Sequence, residues 1–129
     1  MTDKFAGAGP EARFEAYLEE GKFMLQRSTT DGTYIFSPRM INPHTGEADL
    51  EWVEANGAGE IYATTATSRH PEQGGDYNIS LVTLKEGPRM MARVVGIDPH
   101  EVKIGMAVTA DIQEVEGTRA IVFQPVKEA

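Results

Sequence analysis

Ser28-Thr29-Thr30-Asp31-Gly32 and, further along, Asn42-Pro43-His44-Thr45-Gly46 decide how this chain is read. Each is a short turn ending in glycine, and Tyr34-Ile35-Phe36-Ser37-Pro38-Arg39 lies between them. With cysteine at Ser28, Asp31, Asn42 and Thr45 the pattern would be C-x2-C-G followed by C-P-x-C-G. That is the double-knuckle spacing in which paired turns aim thiolates at one tetrahedral zinc ion. The chain has no cysteine. Two hydroxyls, a carboxylate and an amide are not a zinc donor set, because structural zinc selects thiolate and imidazole. The spacing therefore predicts a degenerate, metal-free zinc-ribbon-like hairpin over residues 22–48, with no metal ligand in it. His44 falls inside the second knuckle, but one imidazole with Asp31 is too few for a structural site. His70 and His100 sit near prolines in separate loops and add no cluster.

Short strands, Lys22 to Arg27 and Thr33 to Phe36, are expected on either side of the first knuckle. Upstream, Pro10 opens Glu11-Ala12-Arg13-Phe14-Glu15-Ala16-Tyr17-Leu18-Glu19-Glu20-Gly21. Proline suits the first helical turn, acidic residues suit its N-terminal end, and glycine caps its C-terminus. Phe14, Tyr17, Leu18 and Gly21 share a stripe, so residues 1–21 read as a tail and a short amphipathic helix. So short a helix is marginal alone and must dock, either on its own domain or on a partner. Met1 to Gly9 is expected to fray.

Downstream the period becomes two. Leu50-Glu51-Trp52-Val53-Glu54 precedes Gly57 and Gly59, where a strand bends or bulges. Glu60 to Ser68, Tyr77 to Lys85, Arg89 to Gly96, Ala107 to Val115 and Arg119 to Val126 follow, separated by glycine and proline breakers. Five strands on short loops, the first long and glycine-broken, predict an OB-fold barrel over residues 49–129. The fold class is thus mainly β, with an N-terminal helix, the degenerate hairpin and a five-stranded barrel.

Length and composition narrow the function. A chain of 129 residues, 25% charged and 40% hydrophobic, can bury a real core and is not disordered. No apolar run approaches the roughly 20 residues that span a bilayer. The start, Met1-Thr2-Asp3-Lys4-Phe5, lacks a secretory layout, so a cytoplasmic protein is expected. Twelve basic against twenty acidic residues give a formal charge of −8, which opposes general nucleic-acid binding.

Several further segments carry a resemblance: Ser37-Pro38-Arg39, Leu50-Glu51-Trp52-Val53, Gly57-Ala58-Gly59-Glu60-Ile61-Tyr62-Ala63-Thr64-Thr65, Leu84-Lys85-Glu86-Gly87-Pro88-Arg89 and Ile104-Gly105-Met106-Ala107-Val108. In this order, with the helix and the empty knuckles, they resemble the acyl-CoA-associated OB-fold family catalogued as domain of unknown function thirty-five. That resemblance implies a helix, a rubredoxin-like zinc ribbon and an OB barrel from about Phe14 to Val126. It implies genes beside, or fused to, thiolase-like, lipid-transfer-protein-like or hydratase proteins that act on acyl-CoA. The departure is at Ser28, Asp31, Asn42 and Thr45, where the family's zinc ligands would fall and none can be carried over.

Catalytic residues are not expected: there is no cysteine nucleophile and no Gly-x-Ser-x-Gly elbow. Glu51 and Glu54 near Trp52 read as solvated charges rather than an acid/base pair. The loop Arg69-His70-Pro71-Glu72-Gln73-Gly74-Gly75-Asp76 joins the first barrel strands, where OB folds rim their ligand face. Arg69 and Tyr77, with Arg39 from the hairpin, are the candidate contacts for coenzyme A phosphates and adenine, in a groove between hairpin and barrel. Against this, the loop reads as a hydrated surface tip and Arg39 as a partner of some carboxylate. Of Met90 and Met91, alternation sends one inward; the other is a candidate for an apolar patch with Phe23, Met24 and Tyr34. The function expected from the resemblance is a non-catalytic accessory subunit of a thiolase-like or lipid-transfer-protein-like acyl-CoA enzyme. It needs no cofactor, and coenzyme A or acyl-CoA is its candidate ligand. The partner would dock on the helix Pro10 to Gly21 and the hairpin Lys22 to Phe36. The alternative is an OB-fold protein that binds nucleic acid.

Overall fold

A computed structural model describes residues 9–126. The expected fraying of Met1 to Gly9 therefore falls, apart from Gly9, outside the described residues. Helix α1 runs Pro10–Glu19 with proline in its first turn. It closes in a Schellman motif: Gly21 N–H donates to Leu18 O at 2.9 Å and Lys22 N–H to Tyr17 O at 2.9 Å. Gly21 has φ +79°, the left-handed conformation that this ending requires.

The helix docks on its own chain. Phe14 meets Phe23 edge-on at 6.3 Å and Phe36 at 5.7 Å, while Tyr17 lies 5.4 Å from the Trp52 ring. Leu18 is buried in the core. Arg119 donates from the last barrel strand to Leu18 O at 3.5 Å and Glu19 O at 3.3 Å. A cation at the C-terminal carbonyls also suits the helix dipole.

A three-stranded antiparallel sheet follows, in the order β2-β1-β3, from β1 (Met24–Ser28), β2 (Tyr34–Ile35) and β3 (Leu50–Glu54). Here the structure corrects one reading. Leu50 to Glu54 does not open the barrel; it pairs with β1 in the register Leu25↔Val53 and Gln26↔Trp52. Gly57, at φ +92°, ends that run and turns the chain from one sheet into the other.

The barrel is closed, in the order β4-β5-β6-β8-β7. Its strands are β4 (Ala58–Thr67), β5 (Tyr77–Leu84), β6 (Arg89–Val94), β7 (Ala107–Val115) and β8 (Thr118–Pro125). Neighbours are antiparallel except β6 and β8, which run parallel through Arg93↔Val122 and Val94↔Phe123. This is the OB barrel. β5 alternates strictly between half-buried and buried residues, as a strand with one face inward must. Met90 is buried and Met91 is 69% exposed, as alternation requires. Phe23 lies in the core, so it cannot join Met91 in a surface patch.

Gly59 packs against the barrel interior. A Cβ there would stand 2.6 Å from Val82 Cγ1 and 3.1 Å from Thr83 O. Gly59→Ala is expected to overpack this contact and cost about 1–3 kcal/mol. Thermal unfolding would show a lower Tm, and an unchanged Tm would mean that β4 and β5 separate without cost.

Candidate functional site

The loops that rim an OB ligand face are those between strands one and two and between strands four and five. Here they are residues 68–76 and the hairpin turn Glu116-Gly117. The turn has φ +51° at Glu116 and +84° at Gly117, the geometry of a two-residue hairpin that matches strand twist. It aims the Glu116 carboxylate at two guanidinium groups: Arg69 Nη1 at 3.1 Å and Arg93 Nη2 at 3.3 Å, both to Oε1. This pairing holds the Glu116 carboxyl below the usual carboxylate range, with Arg69 the main cause.

Tyr77 starts β5 beside this cluster. Arg93 is register partner to Ile79, which places it diagonal to Tyr77 on the outer face. The Arg93 guanidinium carbon lies 4.5 Å from the Tyr77 ring centre and that of Arg69 lies 4.7 Å away. Arg69 is fixed by its own loop, donating from Nε to Gly75 O at 3.2 Å and from its backbone N–H to Asp76 Oδ1 at 3.0 Å. Gly74 leaves it room, since a Cβ there would stand 2.7 Å from Arg69 Nη2. The hollow so formed has a volume of about 290 Å³ and also receives Asn78 and the segment Val94 to Ile97.

Asp76 ties the same loop to the 3-10 turn Pro99–Glu101, its Oδ2 lying 2.8 Å from His100 Nε2. The contact raises the His100 pKa above its ordinary 6.5 and lowers that of Asp76 below 3.8, each through the hydrogen bond to the other. Beneath it, the buried Asn78 donates to Thr64 Oγ1 at 2.8 Å and Pro99 O at 3.0 Å, and Ser80 donates to Asn78 Oδ1 at 2.6 Å. This network fixes the floor of the hollow.

Arg69 and Tyr77, proposed from sequence, thus stand together. Arg39 does not join them. It lines a separate hollow of about 220 Å³ with Pro10, Arg13, Gln26, Met40 and Trp52. A groove between hairpin and barrel does exist, about 430 Å³ lined by Phe23, Glu54, Ala110 and Arg119 among others, and it contains none of the three candidates. Sequence reading missed Arg93 and Glu116. Strand alternation put Arg93 on the same face as Met91, and Glu116-Gly117 registered only as a turn.

The knuckle positions do not fit zinc. Ser28 Oγ accepts the Thr30 and Asp31 backbone N–H groups at 3.2 and 3.3 Å. Asp31 Oδ1 accepts from Thr33 N–H at 3.0 Å, and Asn42 Oδ1 accepts from His44 N–H at 2.9 Å. Hydroxyl and amide groups already engaged in hydrogen bonds offer a zinc ion neither the softness nor the charge it selects. Among the described residues no group of three or more His, Cys, Asp and Glu is placed to hold a metal.

The Asp76–His100 tie gives a pH prediction. The raised His100 contributes below about pH 6.5 and is lost as pH rises through its folded pKa; the lowered Asp76 contributes above about 3.8 and is lost as pH falls through its own. The loop is therefore held most firmly between those limits. Amide exchange at Arg69, corrected for intrinsic rate, is expected to be slower at about pH 5.5 than at about pH 8.5. His100→Gln should abolish the difference.

Comparison with known proteins places this chain in a family. The family described as ChsH2, C-terminal OB-fold domain, matches residues 52–113. A probable enoyl-CoA hydratase alpha subunit of Thermomonospora curvata is 34% identical over 115 residues; the match spans 87% of this chain but only 36% of that protein. A DUF35 domain-containing scaffold protein of Pyrococcus furiosus is 28% identical over 119 residues, covering 87% of each. Among solved structures, a chain of the Ltp2-ChsH2(DUF35) aldolase superposes with TM-score 0.80 at 31% identity, over 90% of this chain and 94% of that one. A DUF35 protein of Sulfolobus solfataricus shares the fold, with TM-score 0.65 at 17% identity over 92% of this chain and 87% of that one. The chain belongs to the DUF35 family, as a variant without the zinc cysteines.

Proposed function

We propose that this protein is a non-catalytic accessory subunit of an enzyme that acts on acyl-CoA, with a thiolase-like or lipid-transfer-protein-like partner. The observation that carries the reading is the near full-length likeness to the DUF35 chain of an aldolase assembly. Relatives named as scaffold proteins support it. The helix stripe is already spent on the chain's own core, so the partner contact moves to the exposed part of the hairpin. Met40 is 75% exposed and Ile41 53%. The adjoining Arg39 backbone is clamped at both ends by the buried Gln26 side chain, at 2.6 Å each way. A rigid Arg-Met-Ile knob has the composition of an interface anchor.

Arg69, Arg93 and Tyr77 form the proposed contact for coenzyme A. Glu116 stands where an anion between the two guanidinium groups would sit. A phosphate would displace this carboxylate and take over its hydrogen bonds, while Tyr77 offers an aromatic edge to the adenine. Arg39 belongs in this reading to the partner contact.

Co-expression with the acyl-CoA enzymes encoded nearby should yield a stable complex, weakened by Met40→Asp. A chain that remains monomeric beside each of them would refute the accessory role. For the ligand, calorimetry should show coenzyme A binding that weakens about 10–100-fold in Arg69→Ala or Arg93→Ala. Glu116→Gln should tighten it and Arg39→Ala leave it unchanged. No heat at millimolar coenzyme A, with or without the partner, would sink the ligand assignment while leaving the scaffold role standing.

A further inference from the structure

The knuckles that do not fit zinc are nevertheless joined at one point, the side chain of Asp49. Asp49 lies just before β3, and its backbone extends the β1–β3 ladder: its carbonyl accepts from Thr29 N–H at 2.8 Å and from Thr29 Oγ1 at 3.1 Å. The carboxylate then turns in between the two turns. From the first knuckle it accepts Thr30 Oγ1–H at 2.6 Å and Ser28 Oγ–H at 3.2 Å, both on Oδ2. From the second it accepts Thr45 Oγ1–H, 3.3 Å from Oδ1 and 3.4 Å from Oδ2. Asn42 sits beside the group: it is 0% exposed, and its Nδ2 has no hydrogen-bond partner. It lies close enough to Asp49 to help hold that carboxyl low, after the larger effect of Thr30.

We propose that the Asp49 carboxylate does the work a zinc ion does in a ribbon of this shape, with an anion at the centre and neutral donors around it. In a zinc ribbon, lone pairs of anionic ligands converge on a cation. Here O–H donors from Ser28 and Thr45, two of the four ligand positions, converge with Thr30 on an anion. The fourth position, Asp31, is itself a carboxylate, and its Oδ1 accepts from the Thr33 N–H of its own loop. The ribbon thus stays closed without metal, and with it the segment Arg39 to Ile41. This assignment does not rest on the proposed partner or ligand.

Three measurements test it. Asp49→Asn keeps the shape and removes the charge. It is expected to speed amide exchange at Gly32 and Gly46, one in each knuckle, by about tenfold or more, while the barrel amides keep their protection. Glu47→Gln, a neighbouring exposed carboxylate, should change neither. Unchanged exchange at both glycines in Asp49→Asn would overturn the proposal, as would about one zinc per chain in the unaltered protein by elemental analysis. Should Asp49→Asn unfold more widely, a double-mutant cycle decides: Thr30→Val should lower Tm alone and add little in the Asp49→Asn background, and full additivity would overturn it. Last, a variant combining Ser28→Cys, Asp31→Cys, Asn42→Cys and Thr45→Cys with Asp49→Asn should take up about one zinc per chain and recover the lost protection. Failure to bind zinc would refute the claim that carboxylate and ion hold the same position.

Discussion

Burial of Phe23 and Leu25 against the barrel is the contact on which the rest of the molecule depends. Both belong to one apolar cluster with Leu18 of the helix and with Ile61, Val82, Val108 and Phe123 of the barrel. The helix, the small sheet and the barrel therefore share a core rather than standing as beads on a string. Ala55 N–H donates to Phe23 O at 2.9 Å, which locks the outgoing end of β3 against the start of the sheet just before the chain enters the barrel. The helix and the small sheet are each too small to bury such a core alone. Positions at the seam feel both sides: Arg119 leaves β8 to reach the helix carbonyls, and Glu54 and Ala110 face each other across a groove.

Local signals carried well in this chain because most of its elements are announced by residues that act locally. Pro10 and Gly21 bracket α1, strict alternation marks β5, and glycine or proline breaks mark the barrel loops. Pairing is a different matter. Leu50 to Glu54 alternates as a barrel strand would, and only the register with Met24 to Ser28 shows which sheet it joins. Such partners lie far apart in sequence, and β propensity does not say which neighbour a strand will take. The site was half legible for the same reason. Arg69 and Tyr77 share a loop and the strand that follows it, so proximity in sequence brought them together. Arg93 and Glu116 come from elements that meet only when the barrel closes.

Asp49 escaped sequence reading for a subtler reason. Matching a metal motif attends to the ligand positions and asks what each can donate to a cation. Ser28, Asn42 and Thr45 then look like losses. Asked instead what they can donate to an anion, Ser28 and Thr45 form a consistent pair, and the missing piece becomes a nearby carboxylate rather than an ion. The hub lies outside the motif, one residue before β3, where the β1–β3 ladder has already brought it alongside the first knuckle.

Electrostatics at the two ends of the molecule then follow one logic. In each place a single carboxylate gathers groups from separate loops: Asp49 holds the two knuckles, and Glu116 holds Arg69 and Arg93. The difference is in solvent access and in what is gathered. Asp49 is half-buried among neutral donors, of which Ser28 is itself buried, so replacing it removes the acceptor of a buried hydroxyl. The Glu116 side chain is 66% exposed and faces two cations that an incoming phosphate would satisfy better. An acidic chain gains from such an arrangement. With a net charge of −8 it repels an anion at long range, and the cations that admit one must be local and already oriented. Tyr77 and the Gly75 carbonyl supply that orientation for Arg69, independently of Glu116.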